Sequence, residues 1–185
     1  MDIHTAIYGR RATREYAATP VDRNIVRRLI DAAIQAPSAI NQQPWTFTVV
    51  TDQKLLDELS SAAKRHILES HPDLRQAGHF QMLNDPHYQI FYHAPVLIVI
   101  CASHVMPWYI EDCSLAAQNL MLAAHGEGLG SCWIGFAQGY LNTQEGKTLL
   151  GLPLASAPVA PIIIGVPKGR AEPVSRKEAQ IRWIA

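Results

Sequence analysis

From Asp22 onward, apolar residues recur three and four positions apart: Ile25, Val26, Leu29, Ile30, Ala33 and Ile34. That spacing predicts an amphipathic helix that starts on an Asp22 N-cap and stops before Pro37. Upstream, Asp2 is placed to cap a short helix running through Tyr8 and ended by Gly9. Period two takes over at 45–51, with Phe47 and Val49 on one face and Thr46 and Thr48 on the other, and predicts a strand. Asp52 is set to cap the next helix, expected to end at about His66. The unbroken run Pro95-Val96-Leu97-Ile98-Val99-Ile100-Cys101 has the pattern of a central strand buried on both faces. A helix over about 109–125 follows, with Cys113, Ala116, Ala117, Leu120, Met121 and Ala124 on its apolar side. A short strand is expected at 131–134, then a helix capped by Asn142 and running through Leu150. The last strand is read over Ala160-Pro161-Ile162-Ile163-Ile164-Gly165, with Pro161 near its start, where proline is best tolerated.

Two stretches lack such order. Residues 67–93 have no clear period, are polar, and read as a variable helical or loop excursion, a candidate lid. The tail after Pro167 is polar, irregular and too poor in apolar side chains to fold by itself. Helices and strands intermingle along one domain of 185 residues, so the class expected is α+β or α/β, a sheet with helices packed on it.

Composition narrows the function classes. Lys+Arg and Asp+Glu balance at 16 each, which removes a global field for nucleic acid or anionic membrane. A charged fraction of 17% is light, a hint that a partner subunit covers part of the surface. Met1-Asp2-Ile3-His4 has no secretory pattern, and the longest apolar run, 94–102, is too short to span a bilayer. Cys101, Cys113 and Cys132 are odd in number and share no CxxC spacing, against a disulfide framework or zinc site. A soluble, reducing, cytoplasmic setting is expected.

Chemistry-bearing residues are few. Arg10, Arg11 and Arg14 crowd together after a helix end; on a helical turn Arg10 and Arg14 would converge on one anion, or the cluster is a solvated basic patch. The stiff segment Pro37–Trp45 offers Ser38, Asn41, Gln42 and Gln43 as donors and acceptors suited to the uracil-like edge of a flavin, or it is a polar connector with Trp45 as core anchor. Gly126-Glu127-Gly128-Leu129-Gly130 follows a helix and precedes a strand, the wrong order for a dinucleotide fingerprint, and reads as a glycine-rich C-cap. No G-x-S-x-G elbow is present, and His4, His66, His71, His79, His87, His93, His104 and His125 include no metal-binding pair. Asp112 beside Glu111 is an acid pair or simply a helix start. The chemistry is therefore expected to belong to a cofactor.

Three segments, in order, resemble the marks of the nitroreductase family: Arg10-Arg11-Ala12-Thr13-Arg14-Glu15-Tyr16, Ala36-Pro37-Ser38-Ala39-Ile40-Asn41-Gln42-Gln43-Pro44-Trp45 and Gly128-Leu129-Gly130-Ser131-Cys132-Trp133-Ile134-Gly135. The resemblance covers essentially the whole chain. It implies a nitroreductase-like three-layer α+β fold, with a central mixed, mainly antiparallel sheet flanked by helices, in an intertwined homodimer holding FMN at its interface. Arg10, Arg11, Ala12 and Arg14 would lie along the phosphate and ribityl chain. Pro37, Ser38, Ala39, Asn41 and Gln43 would approach the flavin from the partner protomer. Trp133, Ile134 and Gly135 would line the ring near N5, and Arg176, with Lys177 beside it, would close on the phosphate from a tail over 167–185 that wraps the partner. The implied activity is hydride transfer from NADH or NADPH, through flavin N5, to a nitroaromatic or quinone. A flavin-storage protein, a reductive dehalogenase or a flavin-degrading enzyme are the alternatives. One departure stands out: Ala12 occupies a place where the family usually has Ser, and Thr13 beside it is expected to point elsewhere.

Overall fold

The computed structural model describes residues 1–169 and 172–185, with His79 described by its backbone alone. Its elements are α1 (Ile3–Gly9), α2 (Arg23–Ala33), β1 (Trp45–Val50), α3 (Gln53–Ser70), β2 (Val96–Ala102), α4 (Tyr109–Gly126), β3 (Gly130–Trp133), α5 (Gly135–Leu141), α6 (Gln144–Leu149) and β4 (Ala157–Gly165). The strands form one sheet in the order β1-β2-β4-β3, with helices on both faces, an α+β architecture in three layers. All three strand pairs are antiparallel. The parallel part of the expected mixed sheet is an isolated bridge between Ala12 and Ser131.

Alternation along β2 explains the layers. Val96, Ile98, Ile100 and Ala102 face the core shared with α2 and α4, while Leu97, Val99 and Cys101 face the core under α3 and α5. Ile98, Ile100, Ile162 and Ile163 have 0% exposure, and each such side chain contributes about 1.5–3 kcal/mol on burial. The small apolar side of α4 lets it lie close to α2, and all six of its residues singled out above are buried.

Asp2, Asp22 and Asp52 cap their helices as the sequence predicts, with Asp52 Oδ1 accepting from the Lys54 and Leu55 amides at 2.8 and 3.1 Å. Three expectations need correction. The helix after β1 continues to Ser70, because Leu68 still finds a core to enter. The cap of α6 is Thr143, which accepts from the Gly146 amide at 3.0 Å, and α5 precedes it. Asn142 instead donates to Gln138 O at 2.9 Å and Pro158 O at 2.8 Å, closing the end of α5 against β4. Pro161 lies in the middle of β4, not near its start. A register shift at Ile100/Cys101 leaves Val159 without a partner between Pro158 and Ala160. Pro161 is tolerated because its hydrogen-bonding side faces the end of β3, whose ladder stops at Trp133 and Ile162 and where the Ile134 amide donates to Pro161 O at 2.8 Å.

The excursion is tied to α3. Lys64 is only 7% exposed, and its ammonium donates to the carbonyls of Asp85, Pro86 and Tyr88 at 2.9, 3.3 and 2.6 Å. Ser60 Oγ accepts from the Ile90 amide at 3.0 Å. Short 3-10 turns at Pro72–Arg75 and Gly78–Asn84 make up much of the rest.

Candidate functional site

The arginine-rich segment is extended, not helical. It runs along the free side of β3, where the Thr13 amide donates to Ser131 O at 3.0 Å. It then crosses to the end of β4, where Ala17 donates to Val166 O at 2.8 Å. Tyr16 is buried beneath it and donates its hydroxyl to Thr13 O at 2.7 Å; burial pushes its ionisation far above the ordinary phenol range.

This course puts the arginines at two stations. Arg10, Arg11 and Thr13 line a cavity of about 610 Å³ with His125, Gly128, Leu129, Gly130 and Ser131. Arg14 lines a second cavity, of about 310 Å³, with Tyr92, Cys132, Trp133, Ile134, Gly135 and Phe136. Arg10 and Arg14 therefore do not converge on one point, as a helical turn would have made them do. The segment meets β3 at the Ala12–Ser131 bridge, with Arg10, Arg11 and Thr13 beside 128–131 in the first cavity and Arg14 beside 132–136 in the second, so the two cavities succeed one another along both sequences. A shallower hollow of about 570 Å³, lined by Glu58, Tyr140 and Glu145, includes none of the motif residues.

The first cavity is suited to an anion. Arg11 Nη1 is occupied by Tyr8 O at 2.7 Å and Arg10 O at 2.8 Å, but its Nε is buried without a partner. An unpaired guanidinium N–H is costly unless a ligand meets it. The glycine-rich turn supplies backbone to the same wall. Gly128, at φ 76, ends α4, and Leu129 donates back to Ala124 O at 2.8 Å. At Gly130 a Cβ would come within 2.6 Å of the Thr13 side chain, so only glycine lets the segment lie this close. Thr13 thus lines the cavity, contrary to expectation, while Ala12 is exposed and is not among its lining residues. An extended segment alternates at period two, which puts Arg11 and Thr13, not Ala12, on one side.

The second cavity is mostly apolar, with Trp133, Ile134 and Phe136 around Gly135. A flat ring fits such walls, with Arg14 as the charge beside it. Cys132 offers no nucleophile: it is 3% exposed, and burial raises its thiol despite the nearby Arg14 and Arg10. Burial also raises Cys101 to about 11 and Cys113 to about 12.

The amide-bearing loop lines neither cavity. Ser38 Oγ accepts from the Gln43 amide at 2.9 Å, and Gln43 Nε2 donates to Asn41 Oδ1 at 2.9 Å. Ile40, Asn41 and Gln43 hold left-handed φ values of 45, 57 and 47°. Such strain persists only where surroundings enforce it. Part of that enforcement is Asp112, 3% exposed, whose Oδ1 accepts from the Ala39 amide at 2.9 Å. Asp112 is thus an anchor for this loop, and no acid pair forms because Glu111 is exposed. Pro37 is exposed at the start of the loop, and Arg176 and Lys177 are exposed and line neither cavity. Sequence reasoning missed Tyr92, Phe136 and His125 as lining residues; Phe136 directly follows the Gly128–Gly135 motif and His125 lies three residues before it, while Tyr92 has no motif near it.

Comparison with known proteins adds the following. The family model for the nitroreductase family matches residues 7–166. A provisionally named NADH dehydrogenase/NAD(P)H nitroreductase of Methanothermobacter thermautotrophicus is 30% identical over 171 residues, covering 90% of this chain and 78% of its own. A nitroreductase of Bacteroides fragilis, solved with bound FMN, superposes with a TM-score of 0.79 at 26% identity, covering 98% of this chain and 95% of the other. An iodotyrosine deiodinase of Haliscomenobacter hydrossis is 30% identical over 139 residues, covering 65% of this chain and 60% of its own.

Proposed function

This chain belongs to the nitroreductase family, and from that premise we infer that it is an FMN-dependent NAD(P)H oxidoreductase acting on acceptors such as nitroaromatics or quinones. The observation that carries the reading is the succession of an anion cavity and a flat apolar cavity along the arginine-rich segment and 128–136. FMN, when bound, supplies hydride transfer between the nicotinamide and the acceptor. Arg10, Arg11 and Thr13, with the backbone of 128–131, bind its phosphate. Arg14 lies at the ring end, where a cation favours negative charge on the pyrimidine side. Trp133, Ile134 and Gly135 pack against the ring and exclude water from one side. Thr13 takes the place that a serine at 12 has in the family pattern.

The protein works as a homodimer in this reading. Its exposed area of 11208 Å² exceeds the roughly 8,900 Å² of a compact monomer of this size. Ile3, Ile7 and Tyr8 of α1 and Ile110 and Leu115 of α4 are exposed apolar residues. The loop holding Ser38, Ala39, Asn41 and Gln43 reaches a flavin in the partner, and the tail brings Arg176 to the partner's phosphate. Residues 172–185 are exposed throughout, with Trp183 at 88% and Ile184 at 84%, as a segment built to lie on another subunit would be. Removing everything after Lys168 is expected to weaken the dimer by roughly a hundredfold or more, since the apolar contacts of Ile181, Trp183 and Ile184 with the partner go with it. Sedimentation velocity checks this; an unchanged dimer with unchanged FMN affinity would show the tail to be dispensable. Buried free thiols suit a cytoplasmic setting. No helix among the described residues is long and apolar enough to cross a membrane.

An absorbance spectrum tests the function directly. Purified protein should show flavin bands near ~370 and ~450 nm that bleach anaerobically with NADH or NADPH. Bands that persist with both donors would favour a storage protein, and no bands after adding FMN would remove the cofactor assignment. The likeness to a deiodinase favours one second reading, reductive dehalogenation, which iodide release from an iodophenol would reveal.

A further inference from the structure

We propose that Tyr92, backed by Tyr88, is the residue that selects aromatic acceptors bearing a nitro or carbonyl oxygen, an inference that rests on the flavin-reductase reading above. Tyr92 comes from the excursion, yet it lines the ring-sized cavity together with Trp133, Ile134 and Phe136. Its hydroxyl lies 2.7 Å from that of Tyr88, with the two rings edge to face at 5.8 Å and 88°. When Tyr88 donates to Tyr92, the Tyr92 proton is free to be donated onward.

The placement is enforced rather than incidental. Tyr92 and His93 both hold left-handed backbone, at φ 51 and 53°, which non-glycine residues rarely adopt. Lys64 grips the carbonyls of 85, 86 and 88, Ser60 holds the Ile90 amide, and the Tyr92 amide donates to Gln89 O at 2.9 Å. Phe80 packs edge-on against Phe136 at 6.0 Å, joining the excursion to the far side of the same cavity. Strain of this kind collects at functional sites, where surroundings over-determine one conformation.

The chemistry follows from what else lines the cavity. Arg14 is committed to the flavin in this reading, Cys132 is a weak donor at best, and the remaining walls are apolar. An acceptor stacked on the open face of the bound ring brings its nitro or quinone oxygen to the edge of this cavity and gives up water there, and Tyr92 is the neutral donor placed to replace it. Burial, followed by the hydrogen bond it donates to Tyr92, raises the Tyr88 hydroxyl far above its ordinary range, so Tyr88 stays protonated at working pH. The hydroxyl pair recognises an oxygen; it does not supply a base.

The test uses oxidised, FMN-loaded protein without nicotinamide, so that ligands bind and do not react. Nitrobenzene and toluene share the ring and differ in the oxygens, and their affinities are read from perturbation of the flavin bands or by calorimetry. Tyr92→Phe is expected to weaken nitrobenzene by about fivefold and leave toluene unchanged, the size of one neutral hydrogen bond. Tyr88→Phe, which keeps the Tyr92 hydroxyl but loses its orienting partner, should shift the ratio in the same direction by less. An unchanged nitrobenzene-to-toluene ratio in Tyr92→Phe, or equal losses for both ligands, would overturn the proposal. Those outcomes in a protein that still bleaches with NADH or NADPH sink Tyr92 alone. A wild-type protein that fails to bleach sinks the functional reading beneath it.

Discussion

Arg10→Ala combined with Arg14→Ala yields protein that purifies without flavin. Each guanidinium removed costs a charge-assisted hydrogen bond, about 1.5–3 kcal/mol apiece, so FMN affinity falls by roughly 10²–10⁴-fold. Arg14 is exposed and Arg10 half-buried, so the changes remove little packing and the fold is expected to persist. The two stations make the single variants diagnostic. Arg10→Ala should weaken FMN while leaving riboflavin, which has no phosphate, nearly unaffected, because Arg10 lines the anion cavity. Arg14→Ala should weaken both, because it lines the ring cavity. Fluorescence titration of apoprotein with the two flavins reads the difference. Full FMN retention by the double variant would remove the assignment.

Lys64→Met should lower the melting temperature by roughly 6–12 °C. The substitution conserves volume but leaves the carbonyls of Asp85, Pro86 and Tyr88 without the ammonium that satisfies them. A loss of about 3 kcal/mol is expected, since three hydrogen bonds from one charged, buried donor are lost together. In a chain of this size each kcal/mol shifts the transition by about 2–4 °C. The damage should concentrate in the excursion, so amide exchange at 85–92 rises first, and nitrobenzene discrimination falls with it. A variant with native melting and native exchange would mean that water replaces the lysine without cost.

The period of the hydrophobic pattern was enough to locate most elements. Ile25 through Ile34 repeats at helical spacing and forms α2, and the β-branched run at 95–101 becomes the buried strand β2. Asp2, Asp22 and Asp52 announced helix starts because a short carboxylate satisfies amides that no other group can reach. Elements failed to announce themselves where tertiary contacts replace local preference. Helix α5 contains two glycines in seven residues, and it holds because α3 covers Ala137, Tyr140 and Leu141. Pro161 argues against a central strand by itself, and it is accommodated because the β3 ladder stops beside it at Trp133.

The site divides in the same way. Sequence alone determined which residue types are available: three clustered arginines, an amide-bearing loop between prolines, and a glycine-rich turn before Trp133. Those are statements about local chemistry, and each is complete within about ten residues. Tertiary structure decided how they meet. It made the arginine segment extended along β3, which separates Arg14 from Arg10 and turns Thr13 inward in place of Ala12. It also carried Tyr92 from an unpatterned stretch to the ring cavity, and Asp112 to the amide of Ala39, 73 residues away. A motif keeps its meaning because its donors are fixed by covalent spacing; a pairing across such a distance depends on register and packing, which no single stretch of sequence contains.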